Sequence, residues 1–346
     1  MSLRRLLAAA SILLVSATAA ACGSSSGTAE PAASGSAKPD AGADALVVYS
    51  GRNEKLVSPL LDKLKAATGR DVQVRYGDSA ELAAQILEEG ERTRADLFFS
   101  QDAGALGALS KQGLLAPVAQ PSLDKVSEKY RGTDWVGVSG RSRVLVYDPR
   151  AVQTPPKSVF ELTDAKWRGK VAWAPTNASF QAFVTGLRVL KGDAAAKDWL
   201  DGMKANETQT FKSNAEILDA VDAGKIQVGL INHYYWYAKT AEKGSIPSKL
   251  AFLPGGDPGA LVNVAGVGVL KTTKHAEAAQ KAVDYLLSAD AQQYFAKTTK
   301  EYPLAAGVEA DQGLPKLDTL TGPAIDLAKL ESLEQTLKLL QDTGVV

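Results

Sequence analysis

Residues 45–53 read Ala-Leu-Val-Val-Tyr-Ser-Gly-Arg-Asn, a β-rich run that stops at the turn Gly51-Arg52-Asn53 and gives way to a helical pattern over Leu56 to Ala67. Val72-Gln-Val-Arg-Tyr76 then alternates like a strand, Ser79 opens a helix through Leu87, and Asp96-Leu-Phe-Phe99 is a short apolar strand. Strands and helices taking turns in this way predict an α/β fold built on a mostly parallel sheet. The alternation recurs downstream. Strands are expected over Val144 to Tyr147, Lys170 to Trp173, Thr208 to Phe211, Gln227 to Ile231 and Gly266 to Leu270. Helices are expected over Phe180 to Leu190, Ala215 to Ala223, Ala276 to Leu287, Pro323 to Leu330 and Leu333 to Gln341. Ligands of such sheets bind beyond the carboxyl ends of the strands, where the turn 51–53 lies.

Upstream of the first strand the chain changes character. Arg4 and Arg5 precede the apolar stretch Leu6 to Val15, and Ala19-Ala-Ala21 runs up to Cys22, the one cysteine in the sequence. Residues 1–22 therefore read as a secretory signal, too short to be a spanning helix. Small residues before a lone cysteine are similar to a bacterial lipoprotein cleavage box, which would leave Cys22 lipidated; Ala19 stands where leucine is usual, and an ordinary clipped signal is the alternative. Residues 23–44 are mostly Gly, Ser, Ala and Pro and read as a disordered tether with a reach of roughly 25 Å. With one cysteine, no intrachain disulfide and no thiolate metal site can form. Lys plus Arg and Asp plus Glu both number 39, so no net field favours nucleic acid.

The run Asn232-His-Tyr-Tyr-Trp-Tyr237 closes the apolar stretch Val228-Gly-Leu-Ile231. Adjacent side chains point to opposite faces of a strand and lie about 100° apart on a helix, so convergence of Tyr234 and Tyr235 needs a turn or a helix start. Paired phenols suit a hard cation, because oxygen donors match it and a metal can displace the phenolic proton. The competing reading is an aromatic core edge or a stacking platform for a flat ligand. His233 is read as orienting a phenolate or ligating metal, against the commoner reading of a supporting or surface histidine; His275 is read as solvated, and Trp236 and Tyr237 as core and cleft wall.

Several further stretches, in order, carry a family resemblance: Val48-Tyr-Ser-Gly-Arg-Asn53, Ala95-Asp-Leu-Phe-Phe-Ser100, Ser139-Gly-Arg-Ser-Arg143, Leu230-Ile-Asn-His-Tyr-Tyr-Trp236 and Asp257-Pro-Gly-Ala-Leu261. From about Leu46 to its end, the chain resembles the periplasmic ferric-ion-binding proteins of bacterial ABC importers. The resemblance implies a two-lobed periplasmic binding protein of type II, a clamp that closes on ferric iron as cargo, with phenolate ligands at Tyr234 and Tyr235. It implies that Asn53 stands where one subgroup has a histidine ligand and Gln101 where it has a glutamate. A tyrosine that another subgroup carries near Asn177 to Phe180 is absent. Water or an exogenous anion, carbonate or phosphate, is then expected to complete the shell, unless Asp102 or Glu54 swings in. The family's anion loop falls on Asn177-Ala178-Ser179, with Asn214 and Asn232 as further amide donors. Asp102 falls where the family has a glutamine and would repel an anion unless protonated or turned away. Arg52 and Arg141 offer planar forks for a bidentate oxyanion contact, or else form ordinary ion pairs.

The expected lobes are 45–143 plus 264–313 and 144–263 plus 314–346, hinged near Arg143 and Val264. The expected partners are the permease subunits and, through Cys22, the membrane surface; the protein is expected to be an extracytoplasmic monomer without enzymatic turnover. Two other functions stay open: the same clamp on a small organic or oxyanionic solute, and a secreted hydrolase. The second is disfavoured by the lack of a Gly-x-Ser-x-Gly elbow or a His-Glu-x-x-His run.

Overall fold

The computed structural model describes residues 44–320 and 322–346. The signal segment with Cys22 and nearly all of the tether lie outside them. Among the described residues no helix is long and apolar enough to cross a membrane.

The first half of the expected alternation holds. The strand Leu46–Ser50 pairs in parallel with Val72–Tyr76 on one side and Leu97–Ser100 on the other. The helix expected over 56–67 is broken in two, Glu54–Leu61 and Leu64–Thr68, with Pro59 inside the first piece. Beyond Leu97–Ser100 the sheet turns antiparallel, because Val262–Leu270 enters from the opposite end and runs against both Leu97–Ser100 and Trp135–Tyr147. The sheet is therefore mixed, not mostly parallel.

Trp135–Tyr147 is the longest strand, with 13 residues, and nearly all of it is buried. Residues 135–142 pair with Val262–Leu270, and residues 143–147 pair with Val228–Asn232, the exchange falling between Ser142 opposite Val262 and Arg143 opposite Asn232. Only its final stretch was expected as strand. The preceding Gly-Val-Ser-Gly-Arg-Ser-Arg carries small and charged residues that hide the β pattern, and pairing on both sides overrides that local preference.

Packing divides about this strand. Phe98, Phe99, Val136, Val138, Val264, Val267 and Phe295 belong to one core. Leu145 joins a second, with Trp173, Phe180, Phe183 and Trp199, whose rings meet at centroid distances of 5.4 to 6.4 Å. Val144 and Val146, on the opposite face, pack with Ile217, Val221 and Ile231. Each buried ring or branched aliphatic contributes roughly 1.5–3 kcal/mol relative to exposure.

The C-terminal stretch departs from expectation in two ways. Residues 323–326 are not helical, and only the short 3₁₀ segment Leu327–Glu331 forms ahead of the helix Leu333–Asp342. Leu327 and Leu330 pack into the first core, while Leu339, Leu340 and Val345 pack with the second, so residues 314–346 are shared between the two. Arg188 ties this end down, donating to the Ser332 carbonyl, Thr336 and Gln335. The 3₁₀ segment lies close against the helix Ala103–Lys111 because Gly104 has no side chain: a Cβ there would stand 2.5 Å from the Leu330 carbonyl oxygen. Gly104→Ala is expected to lower stability by about 1–3 kcal/mol, since backbone must move. A urea-unfolding midpoint equal to that of the parent would refute this packing argument.

Candidate functional site

The buried strand Val228–Asn232 runs straight into the helix His233–Lys243, with Asn232 as its N-cap residue. This junction is the helix start that two converging phenols require. The rings of Tyr234 and Tyr235 stack at 4.4 Å between centroids and 27° between planes. Tyr234 is buried and Tyr235 half-buried. Burial, then the neighbouring Tyr235 and the Glu301 carboxylate, push the Tyr234 phenol well above its ordinary range, against the pull of Arg52 and Arg141.

The two-residue period of the strand places Ser139, Arg141 and Arg143 on one face. All three reach buried polar partners. The Ser139 hydroxyl donates to Glu301 at 2.8 Å; Arg141 Nη2 donates to the Gln101 carbonyl; Arg143 Nη1 contacts Asn214 Oδ1 at 3.5 Å. Arg52, in the turn after the first strand, donates through Nη2 to both oxygens of Glu301, at 2.7 and 2.9 Å. Each of the three arginines is at most 3% exposed. Each also has two guanidinium nitrogens with no protein partner: Nε and Nη1 of Arg52 and of Arg141, Nε and Nη2 of Arg143. Arg143 rests over the rings of Phe180 and Phe183, at 5.7 and 5.5 Å.

Electrostatics reflect this crowding. Burial lowers the pKa of Arg143 to about 9, and burial together with the nearby Arg52 lowers that of Arg141. Against three guanidiniums stands the buried carboxylate of Glu301. Asp102, also buried, has its pKa raised by desolvation, and its Oδ1 caps the helix Ala103–Lys111 by accepting from the Ala105 amide at 3.0 Å. Its Oδ2 is buried without a protein partner, and its charge acts on Arg141. With three guanidiniums against the carboxylates of Glu301 and Asp102, this buried cluster carries excess positive charge and unused N–H donors, the chemistry of an oxyanion site.

The expected anion loop joins the same network. Asn177 caps the helix Ala178–Lys191, its Oδ1 accepting from the amide and hydroxyl of Ser179 and from Asn214 Nδ2. Asn214 Oδ1 in turn accepts from the Asn232 amide, at the base of the tyrosine helix. Asn177, Ala178, Ser179, Asn214, Asn232 and Arg143 are therefore one connected group.

Other residues fall at the margin. Asn53 and Glu54 are exposed, and Asn53 makes no side-chain cap bond. Gln101 is half-buried and engages Arg141 through its backbone carbonyl. His233 is fully buried, its Nδ1 accepts from the Ser142 amide at 3.2 Å, and its ring stacks on Tyr302 at 4.8 Å. His275 is not solvated as expected; its Nδ1 lies 3.2 Å from Asp96 Oδ2. Trp236 donates to the Ser248 carbonyl and meets Tyr237 edge-on, as wall residues do. Among the described residues no group of three His, Cys, Asp or Glu side chains could hold a metal.

Residues 93–328 match the bacterial extracellular solute-binding protein family. The chain belongs to that family, among the ferric-ion-binding proteins. It is 35% identical over 308 residues to the major ferric iron-binding protein of Neisseria meningitidis serogroup B, covering 87% of this chain and 93% of the relative. It is similar to the crystal structure of iron-bound HitA from Pseudomonas aeruginosa, with a TM-score of 0.82 and 35% identity over 87% of this chain and 99% of the other. It is also similar to Trichodesmium FutA in complex with iron and citrate ligands, with a TM-score of 0.72 and 27% identity over 87% and 99%. The fold is accordingly the two-lobed, type II periplasmic binding fold that the resemblance implied. Further relatives are an Fe(3+)-binding periplasmic protein of Serratia marcescens, 33% identical, and iron uptake protein A2 of Synechocystis, 30% identical.

Sequence reasoning did not single out Arg143 or Glu301 as site residues. For Arg143 a signal existed: once Ser139-Gly-Arg-Ser-Arg143 is read as strand, residues 139, 141 and 143 share a face. For Glu301, 249 positions from Arg52, no local pattern could have served.

The buried imidazole gives a pH prediction. Burial lowers the His233 pKa to about 4, below the ordinary 6.5. Between those values the unfolded chain binds the extra proton, so stability rises with pH across roughly 4 to 6.5 and is lost as pH falls through that window. The loss is on the order of 3 kcal/mol by pH 4. His233→Asn, which keeps an acceptor for Ser142, is expected to flatten this part of the pH profile of the denaturation midpoint; an unchanged slope would count against it.

Proposed function

We propose that this protein is the extracytoplasmic substrate-binding component of an ABC importer that captures ferric iron between its lobes and hands it to a membrane permease, with no chemical turnover. The observation that carries the reading is the stacked Tyr234–Tyr235 pair facing three buried arginines with unused donors. Both phenols lose their protons as iron binds, and each phenolate stabilises the ferric over the ferrous state. An oxyanion fills positions that the amides Asn53 and Gln101 leave without charge, held by Arg52, Arg141 and Arg143 and by the Ser179 end of the helix Ala178–Lys191. Carbonate, phosphate and citrate all have suitable oxygens. Lipidation at Cys22 would keep the receptor at the membrane surface.

Because phenolic protons leave, iron affinity is expected to rise with pH, and calorimetry in buffers of different ionisation enthalpy is expected to count about two protons per iron. Titration of the iron-free protein with ferric citrate is expected to develop a phenolate-to-iron charge-transfer colour. Tyr234→Phe with Tyr235→Phe is expected to abolish it, and colour that survives the double substitution would sink the assignment. A second reading, an oxyanionic solute without metal, is favoured by the excess of guanidiniums alone. It predicts tight phosphate or carboxylate binding that is indifferent to iron and to the two phenylalanine substitutions.

A further inference from the structure

The buried pair of Arg52 and Glu301 has an asymmetry that a purely structural ion pair lacks. Glu301 is fully satisfied: both oxygens accept from Arg52 Nη2, and Oε2 also accepts from the hydroxyls of Ser139 at 2.8 Å and Thr299 at 3.3 Å. Arg52 is not, since Nε and Nη1 are buried without a protein partner. A fork-on-fork pair would engage two nitrogens in parallel. Here one nitrogen takes both oxygens, and two remain for something else.

The backbone that delivers Glu301 is unusual as well. Phe295–Thr299 forms a π-helical turn, which ends with Lys300 in the left-handed region at φ 57° and closes through the Glu301 amide on the Phe295 carbonyl at 2.9 Å. Such turns are rare and recur at functional sites, and a left-handed lysine is uncommon where glycine is the usual choice. Lys300 Nζ is paired with Asp311 at 2.6 Å, holding the turn from outside. The carboxylate is thus fixed from both sides, close enough to Arg141 and Tyr234 to act on each.

We infer that Glu301 is a positioning residue of the binding site: it grips Arg52 by one nitrogen so that the other two face the incoming anion, and its charge lets Arg52 and Arg141 stand together beside Tyr234. This rests on the iron reading above. The charge acts on the two components of the cargo with opposite sign, since a carboxylate beside the cleft attracts ferric iron and repels an oxyanion. Removal of that charge at constant shape therefore separates a positioning role from a structural one, which would weaken both components together.

The experiment compares the full chain with Glu301→Gln, measuring iron affinity by competition with a chelator at fixed phosphate, and inorganic phosphate affinity of the iron-free protein by calorimetry. The expected result is an iron affinity lower by on the order of tenfold and a phosphate affinity higher by several-fold. Parallel losses, or no change in either, overturn the inference. If the parent protein takes up no iron, the iron reading fails, and the inference is then judged on the phosphate arm alone. If Glu301→Gln does not fold, the neutral pair Arg52→Gln with Glu301→Gln is measured in its place. Its phosphate affinity is expected to fall at least about tenfold, and an affinity equal to the parent's overturns the inference.

Discussion

Three guanidiniums buried beside two carboxylates, Glu301 and Asp102, are the constraint to which the rest of this site answers. An ion removed from water carries a penalty of several kcal/mol even after relaxation, and a single partner offsets part of it. Arg52, Arg141 and Arg143 share Glu301, the Gln101 carbonyl and Asn214, which is too little to neutralise them. In the proposed receptor, phenolates and an oxyanion would supply what is missing. Protein groups alone thus leave the site electrostatically unfinished, and a cargo that brings negative oxygens is expected to stabilise the folded protein as well as being bound by it.

One strand organises both the charge and the packing. In its first part, the alternation of Trp135–Tyr147 aims Ser139, Arg141 and Arg143 at the site. In its second part, the same alternation sends Leu145 into one core and Val144 and Val146 into another. Arg143 stands where the pairing partner changes from Val262–Leu270 to Val228–Asn232, and the latter strand leads directly into the tyrosine helix. Guanidiniums and phenols are therefore set by neighbouring rungs of one ladder.

How much of this was legible in the sequence follows from the range of the forces involved. The tyrosine junction was legible, because neither strand nor helix periodicity accommodates two adjacent phenols on one ligand and a strand-to-helix turn does. Arg52 lay within a stretch that carries the family resemblance, while Asn177-Ala178-Ser179 was placed by that resemblance as an expected anion loop. The first part of the long strand was not legible, since its glycines, serines and arginines have low β preference and its identity comes from partners far along the chain. Glu301 was invisible for the same reason. The C-terminal stretch misled because Leu327 and Leu330 have helical spacing, while their packing against Gly104 and the first core holds them in a shorter 3₁₀ segment.

The hydrogen bond from the Ser142 amide to His233 Nδ1 has a consequence for which metals the site admits. It occupies one ring nitrogen and places the proton on the other, so the imidazole nearest the phenols has no lone pair to offer. Zinc, copper and nickel prefer nitrogen or sulfur donors, and the other histidine, His275, is held by Asp96. If the proposed iron site is right, discrimination against borderline ions is then expected to come from the donors withheld as much as from those presented.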